Sequence, residues 1–248
     1  FKANPPYIPH DYNPTGAYRT TFTVPNDWEG QEVFLRFEKV ASASFLWVNG
    51  QEVGYNEGAH EPAEYDITPY LKRGKNQLSM LVTKYSDGCY MENQDYWRLA
   101  GIFDDVYVYA TPKTRLFDWY VTTDLDSEYR DANLKVVATA RQYDASAPQQ
   151  ELTVRAQLLD AKGKEIATLQ SETSPLSKQT QQYTLTKLIA NPDKWTAETP
   201  NLYELRMQLL DAKGNVIDEA RQDVGFKETE MIDNVFYLNG KKYQRMDK

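Results

Sequence analysis

Glu92, Asn93, Gln94, Asp95, Trp97 and Arg98 bring two carboxylates, two amides, an indole and a guanidinium into one short run. Such groups can hold a sugar: carboxylates and amides meet its hydroxyls, and flat aromatic faces meet the CH faces of its ring. The same residues also allow a purely structural corner, an Asp95–Arg98 ion pair under Trp97. Local composition leaves both readings open. In either case the acid requires a partner, because an unpaired charge among aromatics is costly.

Strands must position this run. On its near side Leu78, Met80 and Val82 alternate with polar residues, which is the period of a half-buried strand. On its far side Gly101, Ile102 and Phe103 end a loop, and residues 106–109 (Val-Tyr-Val-Tyr) return as a strand. Upstream, Tyr18, Thr20, Phe22 and Val24 alternate until Pro25, and Val33, Leu35 and Phe37 repeat the pattern. Asn49-Gly50 is a strong hairpin signal. Residues 66–71 read as one helical turn capped by Asp66 or Thr68. Residues 1–15 are proline-rich and read as an extended arm on a surface, with Asn4 held extended by Pro5. At least six short strands therefore precede residue 110, at the spacing of a β-sandwich.

Composition narrows the function. The 248 residues suffice for two ordinary domains or one large all-β domain. A formal charge of −8 argues against a nucleic-acid surface, which needs a basic stripe. No apolar run approaches the ~20 residues of a membrane span. Cys89 is the single cysteine, so no intrachain disulfide forms and the compartment, cytoplasmic or periplasmic, stays open. Cys89 reads as a small buried apolar residue and not as a nucleophile. With only His10 and His60, a histidine-rich metal site is excluded. His60 reads as a loop or surface histidine. The 13% aromatic content suits both β-sheets and carbohydrate surfaces. A first residue Phe1 in place of Met suggests a processed or excised piece.

Thr111-Pro112-Lys113 marks a boundary, and a second all-β series follows. Leu134, Val136, Ala138 and Ala140 alternate with polar residues, as do Leu152, Val154, Ala156 and Leu158. Residues 158–166 are nearly repeated as residues 209–217, each a strand, a polar glycine turn and a return strand. Two copies make two similar hairpins and not a solenoid. About seven strands over a hundred residues is the immunoglobulin-like pattern without its disulfide. Both sandwiches close before Phe226, so the last hairpin, residues 236–243, is expected to lie outside them with nothing to pack it.

In chain order, Asn4-Pro5-Pro6, Asn13-Pro14-Thr15-Gly16, Phe45-Leu46-Trp47-Val48-Asn49-Gly50, Tyr85-Ser86-Asp87-Gly88, Glu92-Asn93-Gln94-Asp95 with Trp97-Arg98, Trp195, Asp223-Val224-Gly225-Phe226 and Leu238-Asn239-Gly240-Lys241 resemble the N-terminal half of glycoside hydrolase family 2, and within it the large β-galactosidases. The resemblance implies an all-β fold, a jelly-roll β-sandwich over residues 1–111 followed by an immunoglobulin-like β-sandwich over 112–226. Residues 227–248 would then open a (β/α)₈ barrel whose catalytic glutamates are not in this chain, so it carries no catalytic residue. By the same resemblance Asp95 contacts a galactosyl hydroxyl and helps bind sodium, as suits a carboxylate facing a hard cation. Asn4 would also touch substrate, and magnesium would belong to the barrel. The implied parent is a homo-oligomer hydrolysing terminal β-D-galactosides with retention. The implied partner is a galactoside reached through the barrel, with no nucleic acid or membrane. A free-standing pair of carbohydrate-binding modules and a purely structural role remain as alternatives.

Overall fold

The computed structural model describes residues 4–92, 97, 99–176 and 179–243. The chain divides into two compact units, Phe1–Thr111 and Pro112–Lys248. Both are built almost wholly of antiparallel strands.

The first unit is a β-sandwich made of β1 (Thr15–Thr23), β2 (Glu32–Phe37), β3 (Val40–Ala41), β4 (Ala43–Val48), β5 (Gln51–Asn56), β6 (Ala63–Asp66), β7 (Lys75–Thr83), β8 (Gly101–Ile102) and β9 (Val106–Thr111). One sheet has the order β1-β7-β4-β5 and another β6-β2-β9, with β3-β8 as a short pair. Period-two alternation decides which side chains face inward. Val33, Leu35 and Phe37 of β2 meet Leu46 and Val48 of β4 and Leu78, Met80 and Val82 of β7 in one core. On the outer face of β2, Arg36 binds Glu38 at 2.8 Å and Glu64 at 3.2 Å, and Tyr107 and Tyr109 donate to those carboxylates at 2.6 Å each.

The hairpin at Asn49-Gly50 joins β4 to β5. The Asn49 side chain also donates to Tyr70 C=O at 2.8 Å and accepts from Gln77 N–H at 3.0 Å, which fixes the turn against the start of β7. The expected helical turn is a single 3-10 turn, Thr68–Tyr70. Its capping position is held by Ile67, and not by Asp66 or Thr68. Asp66 instead accepts the Thr68 N–H at 3.0 Å, and the Thr68 hydroxyl accepts Val33 N–H at 2.8 Å.

The second unit is an immunoglobulin-like sandwich of β10 (Thr114–Leu125), β11 (Ala132–Gln142), β12 (Glu151–Leu159), β13 (Glu165–Gln170), β14 (Ser174–Pro175), β15 (Thr180–Ile189), β16 (Tyr203–Leu210) and β17 (Val216–Val224). A β10-β11-β15 sheet and a β13-β12-β16-β17 sheet share one core, and β14 pairs with β12. Ala132, Leu134, Val136, Ala138 and Ala140 of β11 are fully buried, as are Leu205, Met207 and Leu209 of β16. Asp223-Val224-Gly225-Phe226 closes this core. Phe226 C=O accepts Trp195 N–H at 2.8 Å, and a Cβ on Gly225 would stand 3.0 Å from the Trp195 side chain. Glycine is therefore the residue that lets Trp195 lie against the backbone.

The repeated segments form two hairpins with one turn chemistry. Asp160 accepts the N–H groups of Lys162 and Lys164 at 2.9 and 3.0 Å, and Asp211 accepts those of Lys213 and Asn215 at 2.8 Å each. These bonds stabilise the charged form. Backbone donation, led by Lys164, holds Asp160 below the usual aspartate range, and Asn215, first through its side chain, does the same for Asp211.

Beyond Phe226, β18 (Thr229–Ile232), β19 (Val235–Leu238) and β20 (Lys241–Lys242) form a three-stranded sheet. Expected to have nothing to pack it, this sheet is tied to the second sandwich. Tyr129 donates to Glu230 at 2.5 Å, Asn239 donates to Trp195 C=O at 3.1 Å, and Glu228 accepts Leu125 N–H at 3.2 Å. Leu238 is buried. These ties join residues 44 to 103 positions apart, so no local pattern announces them. Deleting residues from 230 onward is accordingly expected to lower the melting temperature of the second unit. Losing the buried Leu238 and leaving Tyr129 and the Trp195 C=O without their partners is worth about 5 °C or more. A melt of the truncated chain that overlays the parent's would show the ties contribute nothing.

Candidate functional site

The site segment leaves β7 at Thr83 and makes a short helical turn, Gly88–Met91, before residue 93. Several parts of the first unit fasten this turn. The Asn13 amide pairs with the Tyr85 backbone in both directions, donating to its C=O and accepting its N–H at 2.9 Å each. Ser42 donates to Ser86 at 2.6 Å in a buried contact. Glu57 accepts Gly88 N–H at 2.9 Å, and Glu92 accepts Ala59 N–H at 2.8 Å. The loop after β5 is thus bolted to both ends of the turn.

The far end of the loop is fixed as tightly. Gly101 of β8 pairs with Ala41 of β3 and has φ +97°, and a Cβ there would meet the Tyr18 hydroxyl at 2.8 Å. The backbone angle calls for glycine, and any side chain would also have to displace the Tyr18 hydroxyl.

The arm departs from the extended form expected of it. It reverses at residues 4–7, where Tyr7 N–H donates to Asn4 C=O at 2.8 Å. The Tyr90 hydroxyl holds this turn, accepting Asn4 N–H at 3.2 Å and donating to Tyr7 C=O at 2.8 Å. Pro5 and Pro6 at the two central positions restrict the backbone but do not exclude a turn, and the two bonds to one phenol select it.

A pair of acids lies beside the turn. Glu57 and Asp87 are within hydrogen-bonding reach of each other. Burial alone would raise the Glu57 carboxyl, but bonds from Asp87, Tyr55, Gly88 N–H and Ser86 outweigh it and hold it at about 2. Asp87 is raised, first by its bond to Glu57. Of the two, Asp87 is the carboxyl that takes up a proton first as pH falls, and Glu57 keeps its charge longer. Hydrogen-bonded carboxyls are closer than the ~5–5.5 Å that a retaining glycosidase needs to fit a sugar between them. This pair braces the turn.

Of the residues singled out from sequence, Asn4 is exposed and joined to the Gly88–Met91 turn through Tyr90. Asp95 lies outside the described residues, together with Asn93, Gln94, Tyr96 and Arg98. The geometry of the proposed Asp95–Arg98 pair and of a sodium contact at Asp95 lies there too. Trp97 is 78% exposed. Among the described residues no group of three or more His, Cys, Asp or Glu side chains is placed to hold a metal. Cys89, expected to be buried, is half-buried and accepts Ser86 N–H at 3.4 Å, so its sulfur belongs to the turn. His10 and His60 are exposed. Sequence reasoning missed the bracing roles of Asn13, Glu57 and Tyr90. Only Asn13 carried a signal, in Asn-Pro-Thr-Gly.

Comparison with known proteins places this geometry. The sugar-binding domain of glycosyl hydrolases family 2 matches residues 2–112, and a second family-2 glycosyl hydrolase domain matches residues 114–227. A β-galactosidase of Priestia megaterium is 40% identical over 240 residues, covering 96% of this chain and 23% of that protein. One of Photobacterium profundum is 41% identical over 249 residues, covering 97% of this chain and 23% of that protein. A crystal structure of Bacteroides uniformis β-glucuronidase superposes with a TM-score of 0.83 at 25% identity, over 94% of this chain and 29% of that one. The chain thus spans about a quarter of the curated relatives it matches. With a family-2 domain matched to each sandwich, the chain belongs to glycoside hydrolase family 2.

Proposed function

We propose that this chain is the non-catalytic, sugar-binding part of a β-galactosidase that hydrolyses terminal β-D-galactosides with retention. The observation that carries the reading is the joining of the arm to the turn that leads into Asn93-Gln94-Asp95. Asn4 has its backbone N–H and C=O both engaged, while its side-chain amide has no partner among the described residues. A held backbone with a free amide suits recognition of a hydroxyl. Asp95 would add a carboxylate to the same substrate and serve as one oxygen ligand to sodium. A barrel elsewhere in the polypeptide would supply the two glutamates and hold magnesium, and the whole would be a homo-oligomer. Similarity to β-galactosidases at 40 and 41% identity supports galactosides over the glucuronides of the structural neighbour. The Asn-Gln-Asp-x-Trp-Arg run supports the same choice.

The expected result is that the purified chain does not hydrolyse a chromogenic β-galactoside, because both catalytic glutamates would come from the barrel. Turnover that stays with the chain after removal of host enzyme would overturn the reading. A free-standing carbohydrate-binding role is favoured by one feature, the outward face of β4 and β5. There Phe45 lies 4.9 Å from Tyr55 and 6.4 Å from Trp47, and Tyr55 is half-exposed. Calorimetric titration of the chain with galactose separates the two, since a binding module takes up sugar without a barrel.

A further inference from the structure

We propose that Tyr90 is a positioning residue that sets Asn4 for substrate. The inference rests on the reading of Asn4 as a sugar contact and names what holds it there. Beside the Pro14 C=O, which accepts Lys84 N–H at 2.9 Å, the arm has two side-chain anchors among the described residues, the Asn13–Tyr85 pairing and the Tyr90 hydroxyl. Between them Tyr7 and Tyr12 are 68% and 62% exposed, so packing does little to fix that stretch. Both anchors lie on the one segment that runs into the sugar-binding loop. The Tyr90 oxygen accepts from Asn4 and donates to Tyr7, so one atom fixes both ends of the tight turn. Tyr90 Oη is engaged on its donor side by Tyr7 C=O, and it acts on substrate through Asn4.

Tyr90→Phe keeps the ring and removes only this junction. In the full-length polypeptide it is expected to lower kcat/KM on a β-galactoside about 2- to 12-fold, the worth of one or two modest hydrogen bonds. The melting temperature of the folded protein should barely change. Asn4→Ala should lower kcat/KM as well, and the double variant should fall no further than Asn4→Ala alone, because Tyr90 acts only by placing Asn4. Additive losses, or full activity in Tyr90→Phe beside a loss in Asn4→Ala, would overturn the proposal and leave the reading of Asn4 standing. Full activity in Asn4→Ala would overturn that reading and the proposal with it. Should Tyr90→Phe melt early, kcat/KM is measured well below its melt and per folded molecule; a parental value there would mark Tyr90 as structural and overturn the proposal.

Discussion

Asp95→Asn in the full-length polypeptide is expected to lower kcat/KM on a β-galactoside about 10- to 150-fold, with little loss of melting temperature. The magnitude follows from the bond removed. A hydrogen bond between an ionised group and a sugar hydroxyl is worth ~1.5–3 kcal/mol. Asparagine keeps the shape and an acceptor oxygen but removes the charge, so any rate response to sodium should weaken too. A structural Asp95, paired with Arg98 under Trp97, predicts the reverse, since breaking a buried pair costs ~3–5 kcal/mol of stability. Steady-state kinetics with and without sodium, beside a melt of the same protein, separate the two. Unchanged kinetics with a collapsed melt would make Asp95 a structural corner.

The largest effect on stability is expected at Phe226. Its side chain is fully buried and meets the Tyr203 ring edge-on, with centroids 5.1 Å apart and planes at 89°. Its C=O also accepts Trp195 N–H, so backbone and ring are held at the same place. Phe226→Ala leaves a cavity the size of a ring and should cost ~3–5 kcal/mol. Set against the 5–15 kcal/mol typical of a whole domain, this lowers the melting temperature of the second unit by about 10–25 °C. Tyr120→Ala, at a side chain 69% exposed, is the control and should change little. A Phe226→Ala melt matching that control would show that the core collapses around the gap.

Periodicity carried most of the fold. The alternation of Leu134 to Ala140 marked β11, and the polar glycine turns marked two hairpins, because strand faces and turns are local properties of sequence. The bracing of the site was not legible. Glu57 to Gly88, Ala59 to Glu92 and Tyr90 to Asn4 join residues 31 to 86 positions apart, and each uses a side chain that would look unremarkable on any exposed loop. The docked final sheet was missed for the same reason. Tyr129 and Glu230 share no pattern, only a meeting place set by the sandwich between them. The chemistry of the Glu92 to Arg98 run was legible as residue types, and its assignment to galactosides came through the resemblance.

The arm's dependence on Tyr85 and Tyr90 bears on how the chain is made. Its bonding partners lie 72, 83 and 86 residues downstream. At ordinary rates of synthesis the arm leaves the ribosome about 4–17 s before the groups that capture it. In that interval a segment with free edge hydrogen bonds could pair with the strands emerging behind it. The prolines at 5, 6, 9 and 14 remove backbone donors and make such pairing poor, so the nascent arm stays solvated until its own phenol arrives.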